Sequence, residues 1–430
     1  MSFASVRSLA LTLTVAAAVG CAHSAATTSN MSATPPNPDP RVGLKAGLFN
    51  AQEATWNLKV LSQTPPPREF LGHTNADLAF KGKYVIQGNY HGYLFWDISN
   101  PAKPRLDNAF VCPASQSDVS VYKNLLFVSG EGLSGRLDCG TGGVPDTVSK
   151  ERLRGLRIFD ISDIAHPKNV GNVQTCRGSH THSVLVDPKD TANVYVYISG
   201  SANVRSPAEL AGCANVMPSE DSSSALFRIE VIKVPVAHPE QAAIVSSPRI
   251  FNDLAAPPQH GEAKEDLAEI EQARARGAFV FTAYGMNMVL SDEEGDTLVS
   301  EAMKAHGRTG KPTAEDTAAA NALLEADVAR MMGPVPASAG PTQCHDITLY
   351  PAIGLAGGAC EGYGLLLDIS EPVHPKRLYA VSDSNFSYWH SATFNNDGTK
   401  LLFSDEWGGG GQPKCRATDP KEWGADAIFT

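Results

Sequence analysis

The sequence is poor in the features that mark nucleic-acid-binding and membrane-spanning proteins. Its 35 Lys and Arg residues are outnumbered by 46 Asp and Glu residues, which leaves a formal net charge of −11, and no basic face is evident. Nucleic acid is therefore excluded as a predicted partner, because its phosphates require clustered cationic side chains. The apolar run from Leu9 to Gly20 is also too short to span a bilayer.

Signatures of common hydrolytic and phosphate-binding enzymes are missing as well. The glycine run 408–411 lacks the context of a phosphate-binding loop. The Asp405-Glu406 pair at a predicted strand end favours a solvated turn over an acid–base pair. Three serines open predicted strands and do not form a nucleophile elbow: Ser117, Ser183 and Ser391. No catalytic residue is therefore assigned, and whether the chain is an enzyme stays open.

The N-terminal residues carry an export signal. Arg7 precedes the apolar run, and the run ends in small residues before Cys21. The segment Ala18–Cys21 resembles a bacterial lipoprotein signal, in which Cys21 would be lipidated and become the first mature residue. A conventional signal peptide cleaved nearby is the alternative. Ala22 after the cysteine favours the outer membrane of a Gram-negative cell.

We therefore predict a signal peptide over residues 1–20 and a flexible tether over residues 21–55, a stretch rich in Ala, Ser, Thr, Asn and Pro. The protein is then exported and either anchored at the cell envelope or secreted, and it meets the membrane through the lipid anchor only. Apart from Cys21, seven of the eight cysteines remain, which fits an oxidising compartment.

A strand-and-turn unit recurs along the rest of the chain. The copies GYLFWDISNPAKP, GLRIFDISDIAHP and GLLLDISEPVHP begin at Gly92, Gly155 and Gly364, and a degraded copy begins at Phe227. Each copy combines a β-branched and aromatic strand with an Asp-Ile-Ser turn and a following proline. Because each copy follows two other strand-like runs, the unit predicts a β-propeller blade. Unrelated hairpins in an α+β protein are the alternative.

Five four-stranded blades are recognisable, and their first strands begin at Asp77, Asp118, His182, His345 and His390. We predict an all-β propeller over residues 56–430 with a partly helical insertion at 249–343. Helices are expected at Glu262–Arg276 and Ala314–Met332, where Ala and Glu are frequent. Two further possibilities are an outer strand at 56–62 that joins the last blade and a divergent blade at 279–290.

Four further stretches strengthen a family resemblance: SDVSVYKNLLFVSGEG (117–132), SHTHSVLVDP (179–188), CHDITLYPAIGLAGGAC (344–360) and WHSATFNNDGTKLLFSDE (389–406). Over 57–245 and 344–430 the chain resembles bacterial secreted LVIVD-repeat proteins. The resemblance implies a β-propeller, seven-bladed when complete, and assigns no activity because most members lack one. Five recognisable blades fall short of seven.

Histidines cluster at the predicted mouth of the central channel. In a propeller the residue that opens an innermost strand lies near this mouth. Aligning the five blades puts three histidines in one column, with a fourth just upstream: His182, His345, His390 and His180. Neutral imidazoles suit Cu, Zn or Fe, and Asp118 or Asp346 would add an oxygen ligand or orient a ring. Alternatively, these side chains tie neighbouring blades together by hydrogen bonds.

Long loops and cysteines point to the same face. The long links are 130–154, 200–224, 249–343 and 408–424. Such loops on a rigid scaffold usually carry recognition. The cysteine positions predict three disulfides: Cys112–Cys139, Cys176–Cys213 and Cys344–Cys360. Each would contribute about 3 kcal/mol through loop entropy. Cys415 has no such mate, and thiolate metal ligation is the rival interpretation.

These observations predict a cell-surface or periplasmic lipoprotein that acts as a binding or scaffold module through its loop-bearing face. The expected partner is a protein or glycan at the cell surface. The alternative is a metal-dependent enzyme, an oxidoreductase or lyase, built on the histidine cluster.

Overall fold

A computed structural model describes residues 31–45, 50–283, 286–336, 338–408, 416 and 418–430. The predicted signal peptide, Cys21 and Cys415 lie outside these residues. The chain divides into two compact units, Met1–Pro65 and Pro66–Thr430. The described residues of the first unit form no helix or strand. The strand expected at 56–62 is therefore wrong: Asn57 has a left-handed φ of 58°, which interrupts the extended run, and its side chain bonds Ser32.

The second unit contains five antiparallel sheets, which we number as blades one to five. Blade one comprises β1 Asn75–Lys81, β2 Tyr84–Asn89, β3 Gly92–Asp97 and β4 Arg105–Val111. Blade two comprises β5 Val119–Tyr122, β6 Leu125–Gly130, β7 Gly155–Asp160 and β8 Lys168–Gln174. Blade three comprises β9 Thr181–Leu185, β10 Asn193–Ser199, β11 Glu230–Pro235 and β12 Ala243–Ser246.

The insertion separates blade three from the last two blades. It contains helices α1 Lys264–Ala275, α2 Asp292–Ala305 and α3 Ala314–Met332, and the hairpin strands β13 Val280–Ala283 and β14 Met286–Val289. Blade four comprises β15 Asp346–Tyr350, β16 Leu355–Cys360, β17 Tyr363–Asp368 and β18 Lys376–Val381. Blade five comprises β19 Trp389–Phe394, β20 Leu401–Asp405 and β21 Asp426–Phe429.

Strands follow chain order within each blade, as a propeller meander requires. Blades one to four have four strands, and blade five has three within the described residues. The innermost strands β1, β5, β9, β15 and β19 contact one another in that order. The predicted propeller and its five blades are therefore confirmed, and the fifth blade is smaller than expected.

The hydrophobic core lies between neighbouring blades. Strand β6 is buried along its whole length, because its two faces pack against different sheets. Leu126 and Val128 face a cluster shared with blade one, whereas Phe127 faces a cluster shared with blade three. This alternation follows from the period of two in a strand. It explains the near-continuous apolar runs of the repeat.

Close backbone contacts explain the glycines of the recurring unit, and a turn explains its Asp and Ser residues. A Cβ atom on Gly92 would lie 2.1 Å from the carbonyl oxygen of Phe110, and one on Gly155 would lie 2.1 Å from that of Val173. Both glycines also have positive φ values, of 154° and 146°. In the turn, Asp97, Asp160 and Asp368 each accept a hydrogen bond from the backbone N–H of the serine two residues on.

The insertion matches its prediction in part. Helix α3 has the expected bounds, and α1 lies within the expected range. Helix α2 was missed, although Ser291 and Glu294 form a capping box at its start. The alternative of a divergent blade at 279–290 is wrong, because this stretch forms only the two-stranded hairpin. No helix in the described part of the chain is long and apolar enough to cross a membrane.

All three predicted disulfides are present. Their S–S distances are 1.97 Å for Cys112–Cys139, 2.18 Å for Cys176–Cys213 and 2.05 Å for Cys344–Cys360. Cys344 directly precedes His345, so the third disulfide ties the start of blade four to the end of β16. The alternative of thiolate metal ligands does not apply to these six cysteines.

Candidate metal centre

Polar side chains at the blade starts join neighbouring innermost strands. The carboxyl group of Asp77 accepts a hydrogen bond from the N–H of Val119 at 3.4 Å, and that of Asp118 accepts one from the N–H of His182 at 3.1 Å. The hydroxyl of Ser183 donates to the carbonyl oxygen of Ile347. Burial raises the pKa of Asp118 well above its ordinary value, and the nearby Asp77 raises it further. This geometry fits the predicted structural alternative, in which these side chains tie neighbouring blades together by hydrogen bonds.

His182 takes part in these hydrogen bonds between blades. Its Nδ1 lies 2.9 Å from Ser129 Oγ and 3.3 Å from Asp118 Oδ2, both on blade two. Its side chain is fully buried, and its Nε2 has no hydrogen-bond partner among the described residues. Burial lowers the pKa of His182 to about 3, so the ring is neutral. His182 is thus held by blade two rather than by the other three histidines.

The remaining three predicted histidines come together from three blades. His180 Nε2 lies 2.9 Å from His345 Nε2, and the rings of His345 and His390 are 3.8 Å apart between centroids. Glu406 adds a carboxylate, with Oε1 3.6 Å from His390 Nε2. His345, His390 and Glu406 each offer a ligand atom within 4.8 Å of the others. Two imidazoles and one carboxylate therefore lie within reach of one ion, and His180 adjoins them through His345.

Glu131 sets the orientation of His180. Glu131 Oε1 lies 2.5 Å from His180 Nδ1, and Ser201 Oγ lies 3.1 Å from the same nitrogen. Burial raises the pKa of Glu131, but the hydrogen bonds from His180 and Ser201 bring it below its ordinary value. The ionised carboxylate can only accept, so Nδ1 carries a proton, and in the neutral ring Nε2 then presents its lone pair. The amide nitrogen of Gln116 approaches that lone pair at 3.2 Å.

The Nε2 atom of His345 faces the same lone pair of His180, and the His345 ring cannot form good hydrogen bonds through both of its nitrogens. Burial lowers the pKa of His345 to about 2, and the neighbouring His180 and His390 lower it further, so the ring is neutral. A proton on Nε2 would make His345 a second donor to one lone pair, beside Gln116. It would also leave Nδ1 without a partner, since that buried atom has none in the described part of the chain. A proton on Nδ1 would instead set two lone pairs 2.9 Å apart.

The ligand set suits a borderline-soft cation. Burial also lowers the pKa of His390, so its nitrogen is available as a neutral donor. Nitrogen-rich sites with one carboxylate favour Zn, Cu or Fe. The Glu131–His180 pair has the form of a carboxylate that orients a metal-binding imidazole. A cation between the ring nitrogens would replace the unsatisfied contact between His180 and His345.

Sequence reasoning did not find Glu131 or Glu406 as members of this cluster. Both occupy the same position of the repeat. In blades two, four and five a glutamate directly follows the second strand, namely Glu131, Glu361 and Glu406. In a propeller these positions lie beside the start of the innermost strand. Aligning the blades at the end of the second strand would have found them.

Comparison with known proteins supports the repeat assignment. A family model described as LVIVD repeat matches residues 152–175, which span the start of β7 to the end of β8. This chain is a β-propeller that contains an LVIVD repeat. No curated protein matches it.

Solved structures similar to this propeller have low sequence identities and low TM-scores. Hydrazine synthase of Kuenenia stuttgartiensis is 9% identical with a TM-score of 0.36, and the match covers 80% of this chain and 58% of that chain. The Cps50 (Swd1) β-propeller domain of Myceliophteria thermophila is 9% identical with a TM-score of 0.32, covering 78% and 67%. The periplasmic gluconolactonase PpgL of Pseudomonas aeruginosa is 10% identical with a TM-score of 0.33, covering 77% and 78%.

Proposed function

We propose that this LVIVD-repeat propeller binds one transition-metal ion at the channel mouth and acts as a metal-dependent enzyme of the oxidoreductase or lyase class. The ligands are His180, His345 and His390, with Glu406 beside them. The observation that carries the proposal is the 2.9 Å approach of two Nε2 atoms while Glu131 holds the His180 proton on the opposite nitrogen. A bound cation can accept the lone pairs of both Nε2 atoms, whereas without it Gln116 and His345 compete for the single lone pair of His180.

Zn, Cu and Fe are the candidate ions, because neutral imidazoles bind all three. The protein's own contribution is to fix the rings. His180 is oriented by Glu131, and His345 follows the Cys344–Cys360 disulfide directly. Preorganised ligands of this kind lower the cost of binding the ion.

Elemental analysis tests the proposal. The purified chain is reconstituted separately with Zn, Cu and Fe, and we expect close to one equivalent of one of these ions. The H345A/H390A variant should lose the metal. The control variant H166A should retain it, because His166 pairs only with Asp163 on the surface and is 84% exposed. Substoichiometric metal in the wild type, or full retention in H345A/H390A, would sink the proposal.

A second proposed function is recognition of a protein or glycan partner through the loop-bearing face, by a protein anchored through Cys21. Its support is the three disulfides that tie the long loops, together with the predicted export signal. The test has two arms. The ectodomain is used to capture partners from envelope fractions and on glycan arrays, and the C21S variant is followed by membrane fractionation. Failure to capture any partner, or a C21S protein that stays in the membrane fraction, would count against it.

A further inference from the structure

A cavity of about 340 Å³ lies between the insertion and the propeller, apart from the histidine cluster. Pro257 and Val335 line it from the insertion, and Asn203, Glu361 and Tyr388 line it from the blades. The volume is at the small end of the range of about 300–1,000 Å³ that is usual for small-molecule sites. The cavity therefore has the size and the mixed lining of a ligand pocket.

Glu361 sits at this cavity in an unfavourable backbone conformation. It is the first residue of the two-residue turn between β16 and β17, and its φ is 55°. Such turns prefer Asn followed by Gly, because few side chains tolerate a positive φ. The next residue is Gly362, where a Cβ atom would lie 2.0 Å from Pro257. The glycine serves the packing of the insertion, whereas the glutamate adds strain without a packing reason, a pattern typical of functional residues.

The Glu361 carboxyl group is only half used by the protein. Oε2 accepts a hydrogen bond from the N–H of Thr342 at 2.8 Å. Oε1 has no hydrogen-bond partner among the described residues. Burial raises the pKa of Glu361 to about 7, against hydrogen bonding from Thr342. Near neutral pH the group is therefore substantially a neutral carboxylic acid, which can both donate and accept a hydrogen bond.

The other charged side chains at the cavity, Arg177 and Arg330, already have partners within the protein. Arg177 donates to the carbonyl oxygens of Ala202 at 3.0 Å and Thr342 at 3.2 Å, and also to that of Ser201. The side chain of Arg330 is 70% exposed and pairs with Asp327. Together with Glu361, these are the charged side chains that line the cavity in the described part of the chain. A charged ligand would find no uncommitted counter-ion there, so the site favours a neutral one.

We propose that this cavity binds a neutral polyhydroxylated molecule of monosaccharide size, with one ligand hydroxyl on Glu361. The side-chain amides of Asn203 and Asn215 supply further hydrogen-bonding groups, and the Tyr388 ring with Val204 supplies an apolar surface for the carbon skeleton. This inference deepens the recognition function proposed for the loop-bearing face. It is independent of the metal centre.

The test measures binding of sugars to the purified full chain by isothermal titration calorimetry and saturation-transfer NMR. The panel contains glucose, galactose and N-acetylglucosamine as neutral probes, and glucuronate and glucosamine as charged ones. We expect a neutral sugar to bind, and both charged sugars to bind at least about tenfold more weakly. Absence of neutral-sugar binding at millimolar concentration, or preference for a charged sugar, overturns the proposal.

Variants separate a ligand role from a structural role for Glu361. E361N creates an Asn-Gly turn, so we expect a higher Tm together with at least about tenfold weaker sugar binding. E371Q alters an exposed glutamate of the same blade and should change neither quantity. Metal content should be unchanged in both variants, which separates this result from that of the metal proposal. Unchanged sugar binding in E361N overturns the proposal; should E361N fail to fold, binding by E361A, which removes the carboxyl group, decides in the same way.

Discussion

On one side of the channel mouth, in blades one to three, acidic and imidazole side chains bond to the neighbouring blade. Asp118 accepts a hydrogen bond from the backbone N–H of His182, and Nδ1 of the His182 ring contacts Asp118 and Ser129. On the other side, in blades three to five, His180, His345 and His390 face one another. His182, His345 and His390 occupy the same position of the repeat. The same residue at the same position therefore has two roles.

The neighbours of each ring account for the difference. Next to His182, blade two provides a hydroxyl and a carboxyl group that engage Nδ1. Next to His345, the neighbouring groups are two further imidazoles, and Nδ1 has no partner among the described residues. The His182 ring is held through Nδ1, although its Nε2 has no partner among the described residues, whereas the three facing imidazoles place their nitrogens where a ligand could bind them. The comparison teaches that the repeat position alone does not define the site.

Removing a disulfide on each side sharpens this contrast. Loop entropy predicts that C112S/C139S and C344S/C360S each lose about 3 to 4 kcal/mol of unfolding free energy, since they open loops of 27 and 16 residues. Only C344S/C360S should also weaken metal binding, because Cys344 adjoins His345. Urea denaturation of the apoproteins and metal titration measure the two effects. Equal metal affinity in both variants would contradict the assignment of the two sides.

The substitution H182A tests the hydrogen bonds between blades directly. It removes a buried ring together with the contacts of its Nδ1 with Asp118 and Ser129, so we expect a loss of about 3 kcal/mol in unfolding free energy. Metal content should not change. Chemical denaturation and elemental analysis check the two expectations, with H238A as a control at an exposed histidine. A metal-free but fully stable H182A protein would place His182 in the metal centre.

The pH dependence of stability should differ between the wild type and E361Q. The folded protein holds the Glu361 proton more tightly than the unfolded chain, because burial raises the pKa from 4.5 to about 7. This contribution is fully present below pH 4.5 and is lost as the pH rises through 7. We expect the wild type to lose about 2 kcal/mol relative to E361Q over that interval, after allowance for partial exposure. Parallel stability curves in urea denaturation would show that folding does not raise the pKa of Glu361.

The smallest expected effect is that of E131Q. A neutral amide cannot hold the His180 proton as a carboxylate does, so metal affinity should fall about tenfold with little change in stability. E240Q is a matched control, because Glu240 also contacts the Nδ1 of a histidine, His238, at the surface. Competitive metal titration gives the affinities. An E131Q protein with wild-type affinity would show that Glu131 does not orient a metal ligand.

Much of the fold could be predicted because the blade is a local unit. The Asp160–Ser162 turn bonds across two residues, and the strand Gly155–Asp160 before it pairs with the strand that follows the turn, so their signal lies in one short stretch of the sequence. The same holds for helix α3, whose expected and observed bounds coincide. The strand expected at 56–62 failed because strand character alone supplies no partner, and Asn57 turns the chain out of the extended region.

The sequence is sufficient to predict the repeat, the disulfide partners and the histidines that open the blades, since each depends on spacing within or between adjacent strands. Tertiary structure alone decided that His182 bonds blade two while His180 meets His345, a pair 165 residues apart, and that Glu131 and Glu361 have different surroundings at one repeat position. The physical reason is that pKa, tautomer and ligand geometry depend on groups brought near by packing. The order of residues along a strand does not specify those groups.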